Sequence, residues 1–191
     1  MKKDLILAGV GGQGVLSIAA IIAQAAITSG FTVRQSEVHG MAQRGGAVLA
    51  HLRMSDGAIA GDLVPQGGAD LIISMEILES LRYAAWLAPR GALITAAEPL
   101  VNIPDYPDLE VLRKAVSSFP LHRILETETL AKEAGLPRAV NMVMVGAASA
   151  FLPLDENVIE KVIGQMFSGK GFSVAGANIK AFRLGREHGA A

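Results

Sequence analysis

A glycine-rich turn near the N-terminus constrains the fold more than any other segment. Residues 9–14 read Gly-Val-Gly-Gly-Gln-Gly, which satisfies the pattern GxGxxG, and they lie between two apolar stretches at residues 4–8 and 15–28. A short buried strand, a tight turn and an apolar helix in this order open Rossmann-like α/β domains. In that arrangement backbone N–H groups and the helix dipole can hold an anion. The sequence therefore predicts a strand–turn–helix unit with a potential anion site.

The turn has either a ligand-binding or a purely structural interpretation. In the first, the candidate contact residues are Gly9, Gly11, Gly12, Gln13 and Gly14. A dinucleotide site also needs an acidic residue near the end of the second strand, where it binds the adenosine ribose. We predict that strand at residues 31–35, and the nearest acid, Glu37, follows its end by two residues. The pattern therefore disfavours NAD(P), and leaves open another anionic ligand or no ligand.

Strand and helix patterns alternate along most of the chain. Further strands are predicted at residues 47–54, 71–74, 92–96 and 121–125, and helices at residues 75–87, 108–118, 128–133, 139–152, 156–167 and 174–188, with a turn at residues 89–91. This order predicts an α/β fold: a Rossmann-like, mostly parallel sheet with helices on both faces and a helical C-terminal elaboration. With no linker-like stretch, we expect a single domain over residues 1–191.

Composition excludes several classes of function. Hydrophobic residues make up 51% of the chain and charged residues only 18%, which leaves few charges for a solvated surface and indicates a protein interface. The sequence contains no cysteine, so thiolate metal sites and cysteine-ligated iron–sulfur clusters are excluded in this chain. The four histidines lack zinc-site spacing. A net charge of −1 argues against nucleic acid, and no apolar run is long enough for a membrane span or signal peptide, so we expect a cytoplasmic protein.

The loop predicted at residues 36–46 concentrates polar chemistry. It reads Ser-Glu-Val-His-Gly-Met-Ala-Gln-Arg-Gly-Gly. In an extended chain Glu37 and His39 project to one side, where the carboxylate could fix the histidine tautomer and raise its pKa. Arg44 precedes Gly45 and Gly46, a combination of guanidinium and unobstructed backbone N–H groups that suits a carboxylate or phosphate. The alternative is a network of polar contacts that stabilises the loop or an interface.

Together these two motifs resemble the pyruvate/ketoisovalerate oxidoreductase gamma-domain family, within which they are similar to the beta subunit of indolepyruvate:ferredoxin oxidoreductase. Residues 70–79, 141–146 and 178–185 resemble later blocks of the same family, so the resemblance covers nearly the whole chain. The form His-Gly-Met-Ala-Gln-Arg-Gly-Gly at residues 39–46 is closer to the indolepyruvate branch than to the pyruvate branch, in which an acid commonly stands at the place of Gln43.

The resemblance implies a division of labour between subunits. A larger alpha subunit would carry thiamine diphosphate and iron–sulfur clusters and pass electrons to ferredoxin, while this chain binds no cofactor tightly. Coenzyme A would be a co-substrate in the oxidative decarboxylation of an aryl 2-oxoacid. Glu37, His39 and Arg44 would then face the partner's active site, and Ser36, Gly45, Gly46 and Asn141 would join the glycine turn in ligand contacts. The isolated chain could form a homodimer.

Two other functions remain open from the residues alone. The glycine turn by itself is compatible with a stand-alone NAD(P)-dependent oxidoreductase. It is also compatible with a non-enzymatic nucleotide-binding interaction module, because the sequence carries no recognisable set of catalytic groups such as a nucleophile elbow.

Overall fold

The computed structural model describes residues 1–38 and 45–190, which form a six-stranded sheet flanked by helices. The strands are β1 (Lys2–Val10), β2 (Thr32–Val38), β3 (Ala47–Ser55), β4 (Ala69–Ser74), β5 (Leu87–Ala96) and β6 (His122–Leu125). The helices are α1 (Val15–Thr28), α2 (Ile77–Arg82), α3 (Leu109–Ser117), α4 (Thr127–Glu133), α5 (Val140–Ser149), α6 (Glu156–Phe167) and α7 (Phe172–Ala190). Helices α5 to α7 follow one another, which confirms the predicted helical C-terminal elaboration.

The sheet is mostly parallel, as predicted, but its strand order differs from that of a dinucleotide-binding domain. The order is β2-β3-β1-β4-β5-β6, and β3 alone runs antiparallel to its neighbours. In a dinucleotide-binding half the second strand lies directly beside the first. Here β3 lies between them, so the end of β2 is about 10 Å, or two strand spacings, away from β1.

Alternating side chains of the central strands supply two hydrophobic cores, one on each face of the sheet. Leu5 and Leu7 of β1 pack on one face with α1 and α4 to α7. Ile6 of the same strand packs on the other face with α2, α3 and Val64 of the loop between β3 and β4. These residues are fully or almost fully buried. The predicted cover of helices on both faces is therefore confirmed, although the C-terminal helices thicken one face only.

Helices α5 and α7 approach each other closely because glycines line their contact. A Cβ placed on Gly146 would lie 1.9 Å from the carbonyl oxygen of Phe182, and one placed on Gly185 would lie 2.0 Å from that of Val143. Neither position accepts a larger residue without moving a helix. This packing fixes α5, whose N-terminus lies at the candidate site described below.

Three local predictions were wrong. Strand β2 ends at Val38 rather than at residue 35, because it pairs with β3 up to Leu49. The helix expected over residues 75–87 is shorter, since α2 ends at Arg82 and a 3₁₀ turn covers Ala84–Trp86. The turn expected at residues 89–91 lies inside β5, where the register with β4 shifts between Ala69 and Leu71. There the proline and glycine accommodate a bulge rather than a reversal.

Candidate functional site

The glycine turn lies at the carboxyl edge of the sheet, at the point where successive helices leave on opposite faces. The chain passes from β1 to α1 on one face and from β4 to α2 on the other. In open α/β sheets the crevice between two such strands is the usual ligand position. The ends of the two strands meet there, where Met75 donates its backbone N–H to the carbonyl of Ala8 at 3.0 Å.

Gln13 fills the space between the ends of β1 and β4. Its Oε1 accepts the backbone N–H of Val10 at 2.7 Å, and its Nε2 donates to the carbonyl of Met75 at 3.1 Å. Gly9 passes beneath this side chain, since a Cβ there would lie 3.0 Å from Gln13 Oε1 and 2.8 Å from Val15 Cγ2. The turn is therefore supported by its own glutamine, and the N–H of Val10 is not available to a ligand.

The other N–H groups of the turn fall into two sets. Gly11 donates to the carbonyl of Gly46 at 2.9 Å and Gln13 to that of Val10 at 3.1 Å, so these two are used within the protein. Within the described part of the chain, no acceptor meets the N–H groups of Gly12, Gly14 or Val15. An anion could therefore bind on the side of the turn that faces the N-terminus of α1.

Asn141 lies beside this second set of N–H groups. Gly14 adopts a left-handed conformation with φ +81°, and a Cβ there would lie 3.1 Å from Asn141 Nδ2. Asn141 belongs to the first turn of α5, so the N-termini of α1 and α5 meet at this contact. Its carboxamide is half-buried and forms no hydrogen bond with any described residue. The structure thus brings together the glycine turn and Asn141, and two helix dipoles make this place favourable for a negative charge.

Gly45 and Gly46 also reach the carboxyl edge. Gly46 accepts from Gly11 as described, and the carbonyl of Gly45 accepts from Asn102 Nδ2 at 2.8 Å. His39 and Arg44 lie outside the described residues, so their predicted placement stays a prediction.

Ser36 and Glu37 do not join the turn. Glu37 pairs with Ala50 in the sheet and is half-buried on the face covered by α1, whereas Ser36 pairs with His51 and projects to the opposite face. Glu37 is the next-to-last residue of β2, which is where a ribose-binding acid would stand, yet β3 separates it from β1. This topology gives no support to a stand-alone NAD(P)-dependent enzyme.

A buried carboxylate at the same edge, that of Glu76, is not among the residues that the sequence predicted for the site. Glu76 is 1% exposed and lies two residues after the end of β4. Its Oε2 caps α2 by accepting the N–H of Glu79 at 2.8 Å, and its Oε1 accepts the N–H of Leu100 at 3.3 Å and the hydroxyl of Tyr106. Burial and the hydrogen bond to Glu76 raise the pKa of the Tyr106 hydroxyl, so that hydroxyl stays protonated and donates.

The loop that carries Leu100 and Tyr106 spans residues 97–108 and has no secondary structure. Its three prolines were visible in the sequence, and a connection of this length is often functional. That signal pointed to the loop, but not to Asn102 or to its contact with Gly45.

No metal centre or membrane-spanning helix is apparent in the described ranges. They contain no group of three or more His, Asp or Glu residues placed to hold a metal ion. No helix in them is both long and apolar enough to cross a bilayer.

Comparison with known proteins matches nearly the whole chain to one family and to its members. The family model described as pyruvate ferredoxin/flavodoxin oxidoreductase matches residues 4–188. The chain is 37% identical to an indolepyruvate oxidoreductase subunit IorB of Thermococcus kodakarensis, over 97% of this chain and 95% of that protein. It is 30% identical to a 2-oxoglutarate synthase subunit KorC of Archaeoglobus fulgidus, over 98% of this chain and 88% of that one.

A solved structure shares the fold. The 2-oxoglutarate:ferredoxin oxidoreductase of Magnetococcus marinus, solved with 2-oxoglutarate, coenzyme A and succinyl-CoA bound, aligns with a TM-score of 0.79 at 22% identity. The match covers 98% of this chain and 31% of that much longer one, so this chain corresponds to about a third of it. The family model and the sequence matches show that the chain belongs to the pyruvate ferredoxin/flavodoxin oxidoreductase family.

Proposed function

We propose that this chain is the cofactor-poor subunit of a 2-oxoacid:ferredoxin oxidoreductase that acts on indolepyruvate. The observation that carries the proposal is the match to the indolepyruvate oxidoreductase subunit, which is 37% identical over nearly the full length of both chains. The match to the 2-oxoglutarate synthase subunit is lower, at 30%. The reaction is the coenzyme A-dependent oxidative decarboxylation of an aryl 2-oxoacid, completed together with an alpha subunit.

The cofactors of this reaction would belong to the alpha subunit. Thiamine diphosphate supplies the carbanion chemistry and iron–sulfur clusters carry electrons to ferredoxin. Because this chain has no cysteine, cysteine-ligated clusters have to be held elsewhere in the complex. The chain's own contribution is to bind and orient an anionic substrate group.

The group that the site fits is a phosphate of coenzyme A or the carboxylate of the 2-oxoacid. The N–H groups of Gly12, Gly14 and Val15 and the carboxamide of Asn141 are uncharged donors at two helix N-termini. His39 and Arg44 would add positive charge from the adjacent loop, whose described end at Gly45 and Gly46 contacts the same edge. The bound coenzyme A and 2-oxoglutarate in the Magnetococcus marinus enzyme are ligands of this chemical type.

Arg44→Ala tests this assignment in the complex co-purified with the alpha subunit under anaerobic conditions. We expect the KM of coenzyme A or of indolepyruvate to rise about tenfold, because a charge-assisted hydrogen bond is lost while the complex still assembles. The control is Arg34→Ala, which removes an exposed arginine of β2 that pairs with Asp62 at 3.7 Å. Unchanged kinetics in the assembled Arg44 variant would contradict the placement, and loss of assembly would instead assign Arg44 to the subunit interface.

The working unit would be a cytoplasmic heteromer. Exposed apolar side chains such as Phe172, which is 100% exposed, and Val101, which is 69% exposed, support a partner-covered surface. Without its partner the chain could self-associate into a homodimer. Light scattering on the isolated chain and on the co-purified complex measures both states, and a strictly monomeric chain that never co-purifies with an alpha subunit would contradict the proposal.

A further inference from the structure

We infer that Asn102 is a positioning residue, which holds Gly45 and Gly46 against the glycine turn from a loop that Glu76 fixes in place. The contacts of Asn102, Glu76 and the glycine turn are observed in the structure and do not depend on the proposed function. The consequence for turnover rests on the proposed function, because it assumes that the turn binds an anionic substrate group.

The base of the loop over residues 97–108 is fixed at two points by one buried carboxylate. The N–H of Leu100 and the hydroxyl of Tyr106 both donate to Glu76 Oε1, so the loop is held on either side of Asn102. Glu76 itself cannot swing away, because its Oε2 accepts the N–H of Glu79 in α2. At 1% exposure this carboxylate has little competition from water, which strengthens each hydrogen bond that it accepts.

The tip of the loop is held differently. Val101 and Ile103 are 69% and 41% exposed, so apolar packing does not fix the residues on either side of Asn102. Asn102 Nδ2 donates to the carbonyl of Gly45 at 2.8 Å, and the carbonyl of the next residue, Gly46, accepts the N–H of Gly11 at 2.9 Å. A continuous series of contacts thus runs from the end of β4 to the glycine turn.

Asn102 is exposed, so we expect it to affect the position of Gly45 more than the stability of the fold. An exposed hydrogen bond contributes little to the free energy of unfolding, because water replaces it easily. Its geometric effect is larger, since Gly45 has a left-handed φ of +79° and no side chain with which to pack. Without the bond from Asn102, Gly45 loses a restraint just before β3 begins to pair with β1 at Ala47, and we expect the contact between Gly46 and Gly11 to loosen with it. The N–H groups of Gly12 and Gly14, which meet no acceptor among the described residues, are the next donors along the turn.

Amide hydrogen exchange in the isolated full chain tests the series of contacts directly. We expect the N–H of Gly11 to exchange about fivefold faster in Asn102→Ala than in the wild type, the ratio that corresponds to one net hydrogen bond. Asn157→Ala is the matched control, because Asn157 is an exposed asparagine whose Nδ2 donates to Asp155 at the start of α6. Asn102→Gln keeps a carboxamide and should recover part of the protection. Equal exchange of Gly11 in Asn102→Ala and the wild type would overturn the inference.

Kinetics of the co-purified complex test the consequence. Asn102→Ala should raise the KM of coenzyme A or indolepyruvate about fivefold and leave kcat unchanged, because the variant loses binding common to the ground state and the transition state. Asn157→Ala should change neither. A lower kcat at unchanged KM would contradict the positioning role. A wild-type complex that turns over no 2-oxoacid would reject the proposed function, while the exchange experiment would still decide whether Asn102 restrains the turn.

Discussion

Two long loops of this protein are held in opposite ways. The loop over residues 56–68 joins β3 to β4 and lies over the face of the sheet that α2 and α3 also cover, where Val64 enters the core. The loop over residues 97–108 joins β5 to α3 and extends along the carboxyl edge of the sheet. The first is held along its length by buried groups of the sheet. The second is held firmly only at its base.

The first loop depends on a buried ion pair in the sheet. Arg53 of β3 donates through Nε and Nη2 to Asp4 of β1, whose side chain is 1% exposed, and through Nη1 to the carbonyls of Gly61 and Leu63. Burial works against the charge of Asp4, but the hydrogen bonds from Arg53 and Lys2 outweigh it and keep the pKa of Asp4 below its usual value. The arginine therefore connects the loop to two strands at once.

The second loop places its least restrained residues next to the candidate site. Only Asn102 links its tip to the rest of the described structure, and the apolar neighbours Val101 and Ile103 remain exposed. The difference indicates that the first loop serves stability, whereas the second leaves its tip accessible for ligand or partner contacts. Loss of a contact should therefore cost more stability in the first loop than in the second.

Arg53→Ala should give the largest loss of stability. Among the described residues, the variant leaves the buried Asp4 carboxylate with Lys2 as its one remaining cation, at 2.8 Å, and releases both carbonyls of the loop. We expect about 3 kcal/mol of destabilisation in urea unfolding, at the lower end of the range for breaking a buried pair because Lys2 remains. The control Arg34→Ala removes an exposed arginine of β2, which pairs with Asp62 of the same loop at 3.7 Å, and should cost less than about 1 kcal/mol. Similar losses in the two variants would show that the buried pair of Arg53 holds the loop no better than this exposed one.

Tyr106→Phe should have an intermediate effect. The ring still packs against Leu112 and its neighbours, but Glu76 loses the hydroxyl and keeps two backbone donors among the described residues. We expect a loss of about 1.5–2 kcal/mol in the free energy of unfolding, at the lower end of the range for a hydrogen bond to a charged group. Tyr83→Phe is the control, because Tyr83 packs against the same core and its hydroxyl forms no hydrogen bond within the described residues. A loss of stability in Tyr83→Phe as large as in Tyr106→Phe would contradict the role assigned to Glu76.

Much of the fold could be predicted from sequence because its signals are local. Helix α1 begins and ends as predicted, since the glycine turn precedes it and Ser29-Gly30 closes it. Helix α6 also matches, and Asp155 caps its N-terminus. The position of β3 between β1 and β2 could not be predicted, because strand pairing is a non-local choice that depends on which faces are buried. That pairing also moved the end of β2 to Val38.

The candidate site was only partly predictable for the same reason. The glycine turn could be found from its spacing, and Asn141 from the family resemblance, but the contact between them depends on how α5 packs against α7. Glu76 is a typical residue for the start of a helix, so its sequence position gave no sign that Leu100 and Tyr106 would bind it. A contact between residues distant in sequence leaves no local pattern.

His51→Gln should have the smallest effect, and it should depend on pH. His51 is 5% exposed, and its Nδ1 accepts the N–H of Val64 from the first loop at 3.1 Å. Burial, together with the nearby charge of Arg53, lowers the pKa of His51 below its usual 6.5 in the folded protein. The unfolded chain therefore binds the proton more readily, so the contribution of His51 is complete above pH 6.5 and is lost as pH falls through the folded-state pKa.

Glutamine keeps an acceptor but cannot titrate, so at pH 8 the His51→Gln substitution should cost about 1 kcal/mol or less. Urea unfolding from pH 8 to pH 5 should show the wild type losing stability more steeply than the variant. Parallel curves would mean that protonation of His51 leaves the first loop in place, and that Arg53 alone accounts for the contrast with the second.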